Sequence, residues 1–144
     1  MNSQSFTATI AVANSPKDVF NHIKDVKKWW GYEDFEGNSS NLHDEFIIRH
    51  GEVHYSKQQL IEVIPDKKMV WLVTESKMNW LIKDMYEWTN TKMIFEITTR
   101  GDQTVLNFTH EGLIPEKECY SECRKGWTMV IKERLYNVIL TSKI

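Results

Sequence analysis

A chain of 144 residues and 17.1 kDa has the size of one domain and can bury roughly two-thirds of the surface it exposes when unfolded, so its core needs no staples. Hydrophobic residues at 41% and charged residues at 26% exclude a disordered chain, and a net charge of −2 with a pI near 6.2 leaves no basic footprint for nucleic acid. The longest apolar run, Met69 to Val73, is too short to cross a bilayer, no basic-then-apolar leader follows Met1-Asn2-Ser3-Gln4, and Cys119 and Cys123 fit free thiols in a reducing cytosol.

Phe6, Ala8, Ile10 and Val12 alternate with polar or small residues, which predicts a half-buried strand. Asn14-Ser15-Pro16 stops it. Ser15 can cap a helix, Pro16 suits its first turn, and Asp18 can close a capping box. Val19, Phe20 and Ile23 form the apolar side of that short helix, and a second helical turn, Asp25 to Trp30, carries the pair Trp29-Trp30. Gly31 to Asn41 is rich in Gly, Ser and Asn and reads as a loop.

Strand signals follow. Phe46 to Arg49 is one, and Gly51 turns the chain into Val53 to Ile64, which Pro65-Asp66 ends. Lys68 to Thr74 is apolar on both faces, as a central strand is. Thr91 to Thr99 and Thr104 to His110 flank the turn Arg100-Gly101-Asp102 and make the clearest hairpin. Pro115-Glu116 opens the last element. From Tyr120 through Cys123, Trp127, Val130, Ile131, Leu135, Val138 and Ile139, apolar residues recur every three or four positions, the stripe of a long amphipathic helix. Gly126 inside it costs about 1 kcal/mol relative to alanine, which suggests a close approach to another element. Strands followed by a covering helix predict an α+β fold in one domain, residues 1–144.

Ala13-Asn14-Ser15-Pro16-Lys17-Asp18-Val19-Phe20 with Trp29-Trp30-Gly31 resembles the opening of the START-like (SRPBCC, Bet v-like) superfamily. Glu62 to Trp71, Thr104 to Leu113 and Gly126-Trp127 are similar to its branch of activator of Hsp ATPase homologues. The match spans essentially the whole chain. The resemblance implies a helix-grip fold: a curved antiparallel sheet of about six or seven strands around a long C-terminal helix, with two short helices after the first strand. It also implies a cavity for a small hydrophobic molecule, a lipid or polyketide-like compound. Some members of the superfamily are cyclases or destroy their ligands, and the branch takes its name from a co-chaperone domain. A ligand-processing enzyme and a protein-interaction module are therefore the alternative readings.

Six Trp, six Phe and five Tyr make the aromatic residues the main site candidates. Trp30, Phe46, Trp71, Trp80, Trp88, Tyr120 and Trp127 are candidate pocket walls, with plain core packing as the alternative, and Trp80 and Trp88 are placed to close a cavity mouth. His110 has inward parity beside Phe108 and reads either as a polar anchor or base, or as a satisfied core histidine. Cys123, a turn after Tyr120, is a further weak polar handle. His50-Gly51-Glu52-Val53-His54 would align metal ligands on an unbroken strand, but Gly51 marks a turn, so the segment reads as an exposed hairpin tip. Cys119 and Cys123, with no second cysteine pair, read as two ordinary thiols. No nucleophile elbow, phosphate loop or dinucleotide fingerprint is present, so no cofactor and no metal are expected.

Overall fold

A computed structural model describes residues 5–30 and 35–141. The leader reading at Met1 to Gln4 and the first part of the Gly31–Asn41 loop fall outside these residues. The described elements are strand β1 (Phe6–Val12), helices α1 (Pro16–Lys24) and α2 (Val26–Trp29), strands β2 (Phe35–Gly37), β3 (Glu45–His50), β4 (His54–Ile64), β5 (Lys68–Lys77), β6 (Lys92–Arg100) and β7 (Gln103–Glu111), and helix α3 (Tyr120–Met129). A π-helical segment, Val130–Leu135, continues α3 into α4 (Tyr136–Thr141).

The seven strands form one antiparallel sheet in the order β1-β7-β6-β5-β4-β3-β2. From β2 to β7 each strand pairs with its successor, and β1 closes the series against β7. Alternation in β1 buries Phe6, Ala8, Ile10 and Val12, and β7 turns Leu106, Phe108 and His110 to the same side. β5 lies fourth of the seven strands, which explains its apolar run. Register shifts at Lys57/Gln58 and Leu60/Glu62 mark irregular pairing with β4, a device that bends a sheet.

The helices begin and end for local reasons. Ser15 Oγ accepts the Asp18 N–H at 3.1 Å, and Pro16 fills the first helical position, where its missing N–H costs nothing. Val19, Phe20 and Ile23 then face the core. The C-terminal helix covers the sheet with Cys123, Trp127, Val130, Ile131, Leu135 and Ile139. It starts at Tyr120 rather than Pro115, because residues 115–119 are spent on turns in which Ile114 and Lys117 carbonyls accept the Lys117 and Tyr120 N–H groups. The expected Gly31–Asn41 loop contains the edge strand β2, which Phe35 secures by stacking on Phe46 at 5.6 Å. β5 runs three residues past Thr74 to Lys77 because Tyr55, Ser56 and Lys57 of β4 continue to pair with it.

After β7 the chain turns at Gly112, whose φ of +105° is a region L side chains rarely adopt. A Cβ there would stand 2.7 Å from Thr91 Cγ2. Gly112→Ala should therefore destabilise the fold by about 2 kcal/mol or more, read as a lowered urea midpoint with an unchanged slope. A midpoint within error of the parent would show that this turn relaxes freely.

Candidate binding site

A cavity of about 360 Å³ opens between the C-terminal helix, the β3–β4 hairpin and the β5–β6 connection, toward the small end of the range for ligand pockets. Trp30 enters it from the end of α2, and His50 and His54 from the β3–β4 hairpin. Met78, Trp80 and Trp88 come from the β5–β6 connection. Helical spacing brings in Cys123, Gly126, Trp127, Val130 and Arg134 on one stripe, with Glu122 and Met129 beside it. Val130 and Arg134 lie in the π-helical segment, and such segments are frequent at functional sites.

Three indoles form the apolar wall. Trp88 and Trp127 lie nearly parallel, 9° apart in plane with centroids 5.9 Å apart. Trp30 packs on Trp127 at 4.9 Å and stacks on Trp71 at 5.9 Å and 3°. Trp80 stands at the mouth, 41% exposed. The β5–β6 connection that carries Trp80 and Trp88 is tied down at two points in its first half. Asn79 donates to the Glu52 carbonyl on the hairpin tip, while the Glu118 carboxylate accepts the Ile82 and Lys83 N–H groups. Those two backbone donors hold the Glu118 carboxyl below its usual range. Glu87 Oε1 accepts the Cys119 N–H at 2.8 Å, which serves the start of α3.

The two inward-facing histidines differ in what they leave unused. His110 is fully buried, its Nδ1 accepting the Trp127 indole N–H at 3.0 Å and its Nε2 lying 2.8 Å from Thr91 Oγ1. An indole only donates, so Nδ1 is the acceptor, and Nε2 carries the proton toward Thr91, whose hydroxyl donates on to the Trp88 carbonyl. Burial, assisted by the Lys117 charge, lowers the His110 pKa to about 3. His110 is thus a neutral strut between sheet, helix and connection, with neither nitrogen left over for a base.

His54 is the residue the sequence reading set aside. The tip of its hairpin, Gly51 to Val53, is exposed, but His54 packs against Trp88 at 5.0 Å and Trp30 at 6.3 Å. Burial and the neighbouring His50 lower its pKa to about 3. The signal was present: His54, Ser56, Gln58 and Leu60 share the parity of an inward apolar residue. The turn at Gly51, φ +55°, does break the strand, and among the described residues no group of three or more His, Cys, Asp or Glu is placed to hold a metal ion.

Of the residues expected at the site, Trp30, Trp80, Trp88, Cys123 and Trp127 line the cavity. Phe46, Trp71, His110 and Tyr120 do not. Phe46 meets Trp71 edge-on at 4.9 Å, and Trp71 is sealed between Trp29 and Trp30. His110 is enclosed by its own hydrogen bonds, and Tyr120 packs partly buried against the core. Gly126 makes no close approach: a Cβ there would meet nothing within 4 Å, so the missing side chain is cavity space. Cys119 and Cys123 are free and buried. A thiol–thiol hydrogen bond with Cys123, and then burial, raise the Cys119 thiol far above its usual range, which suits packing rather than nucleophilic attack.

Two outcomes are expected. Trp127→Phe leaves the His110 Nδ1 without its donor and should cost about 1–3 kcal/mol in urea unfolding, whereas no loss would mean the strut is dispensable. His54 and His110 are neutral in the fold and protonate near 6.5 once unfolded, so the unfolded state takes up protons first as pH falls. Stability should be full above about pH 6.5 and decline toward pH 3, by up to about 1.4 kcal/mol per pH unit for each histidine. A flat profile through that window would contradict the two neutral histidines.

Comparison with solved structures gives the same fold in several bacterial proteins. The chain is similar to the Aha1 dimer from Colwellia psychrerythraea, with a TM-score of 0.69 at 20% identity over 89% of this chain and 90% of that one. It is also similar to protein MLL2253 from Mesorhizobium loti, with a TM-score of 0.71 at 12% identity over 96% and 99% of the two chains. CalU16 from Micromonospora echinospora matches with a TM-score of 0.67 at 11% identity, over 98% and 78%. No curated protein matches by sequence. The helix-grip fold and these neighbours agree with the START-like resemblance. The model of the family described as Activator of Hsp90 ATPase homolog 1-like protein matches residues 15–139, and the chain belongs to that family.

Proposed function

We propose that the protein binds one small, largely apolar molecule, lipid or polyketide-like, in the cavity between sheet and C-terminal helix, and performs no covalent chemistry on it. The observation that carries this reading is the wall of three indoles, Trp30, Trp88 and Trp127, around a cavity of about 360 Å³. Apolar surface taken from water contributes roughly 25 cal/mol per Å², and flat indole faces supply it at little cost in side-chain freedom. The alternative of catalysis draws less support. Both His110 nitrogens are engaged, and the Cys119 thiol is held protonated. The buried thiols suit a reducing compartment such as the cytosol. Among the described residues no helix is long and apolar enough to cross a membrane.

Gly126 provides a test that separates binding from folding. Leucine in its place removes the helical cost of glycine, about 1 kcal/mol, and fills the cavity from the helix side. The parent should bind N-phenyl-1-naphthylamine saturably and one-to-one by fluorescence. Gly126→Leu should lose that binding at least tenfold with no loss of stability. Equal binding by a stable Gly126→Leu variant would place the probe elsewhere and remove the support for this cavity. Native mass spectrometry of protein from its own cells should in turn show a stoichiometric adduct extractable into organic solvent.

A further inference from the structure

The binding reading leaves open which molecules the cavity prefers, and β4 bears on that question. His54 Nε2 lies 2.9 Å from Ser56 Oγ, two residues along the same inner face. Ser56 is fully buried, and its hydroxyl has no other hydrogen bond among the described residues. Were Nε2 the donor, the Ser56 hydroxyl proton would be buried without an acceptor, an arrangement folded proteins avoid. The satisfied arrangement has Ser56 donating to Nε2. A neutral imidazole that accepts at Nε2 carries its single proton on Nδ1. That nitrogen has no partner among the described residues, it is not one of the sealed, unpartnered polar atoms that include the Gln58 amide, and His54 lines the cavity. Edge contacts with Trp30 and Trp88 hold the ring in place.

Resting on the binding reading above, we propose that His54 presents a fixed Nδ1–H donor to the cavity, so that the preferred guest is an apolar molecule carrying an acceptor oxygen, a ketone or other carbonyl, rather than a bare hydrocarbon. The indoles take the hydrocarbon frame and the imidazole orients it. Ser56 acts through His54 and is a positioning residue. The other polar side chains of the wall, His50, Glu122 and Arg134, sit on the hairpin and the helix. Arg134, His50 and the indole N–H groups of the wall, Trp88 Nε1 among them, are the competing donors that the test must exclude.

Fluorene and 9-fluorenone share one flat frame and differ by a carbonyl, so competition of each against N-phenyl-1-naphthylamine isolates the acceptor oxygen. Fluorenone should bind about three- to tenfold more tightly, the range of one neutral hydrogen bond. His54→Phe should bring the two affinities together, read as the ratio of fluorenone to fluorene binding. Nitrogen chemical shifts of the parent, which need no variant, should show His54 protonated at Nδ1, and Ser56→Ala should mix the tautomers. Equal affinities in the parent, a preference that survives His54→Phe, or a proton on Nε2 would each overturn the proposal while leaving the cavity as a binding site. If none of the three compounds binds, the binding reading falls and this proposal with it.

Discussion

The hydrogen-bond chain from the Trp127 indole through His110 and Thr91 to the Trp88 carbonyl is the constraint on which the rest of the site depends. It joins the helix, strand β7, the foot of β6 and the β5–β6 connection with three polar links inside an apolar core. Low surrounding polarity strengthens each link and makes a missing one costly, so the three stand or fall together. The chain fixes the His110 tautomer and ties down two of the three indole-bearing residues, Trp127 by its side chain and Trp88 by its backbone. It also accounts for Gly112, because Thr91 occupies the space where a side chain at that turn would go.

A second consequence concerns where the core stops and the cavity begins. Trp30 is the boundary: Trp71 and Trp29 lie beneath it in continuous packing, while its far side meets Trp88, Trp127 and open space. A large rigid ring supported from below is a wall that does not collapse into the space beside it. The missing side chain at Gly126 keeps the opposite side clear. The cavity thus persists through stiffness at Trp30 and absence at Gly126, and the irregular β5–β6 connection only has to roof it.

Much of this was legible in the sequence. Period-two patterning located the main strands, the Ser15-Pro16 cap located α1, and the apolar stripe from Cys123 to Ile139 located the closing helix. Five of the nine residues expected at the site line the cavity. The misses have physical causes. Composition cannot distinguish an aromatic residue one layer too deep, such as Trp71, from one at the surface of a cavity, because both are apolar on the same face. The glycine of the stripe reads as close packing or as empty space until its surroundings are known. His54 was missed for a different reason: the turn at Gly51 drew attention to the exposed tip, although strand parity with Leu60 already turned the imidazole inward.

The pairing of β1 with β7 has a consequence for how the molecule is made. Phe6 meets His110 across the sheet, so β1, the first described strand, must wait for β7, the last, to leave the ribosome. At about 5–20 residues per second that wait lasts several seconds, and throughout it Phe6–Val12 has no native strand to pair with. Pairings between residues so distant in sequence are also slow to nucleate once the whole chain is free. The nascent protein therefore passes through an interval in which an unpaired, half-apolar strand is open to mispairing, and the arrival of β7 and the closing helix ends that exposure.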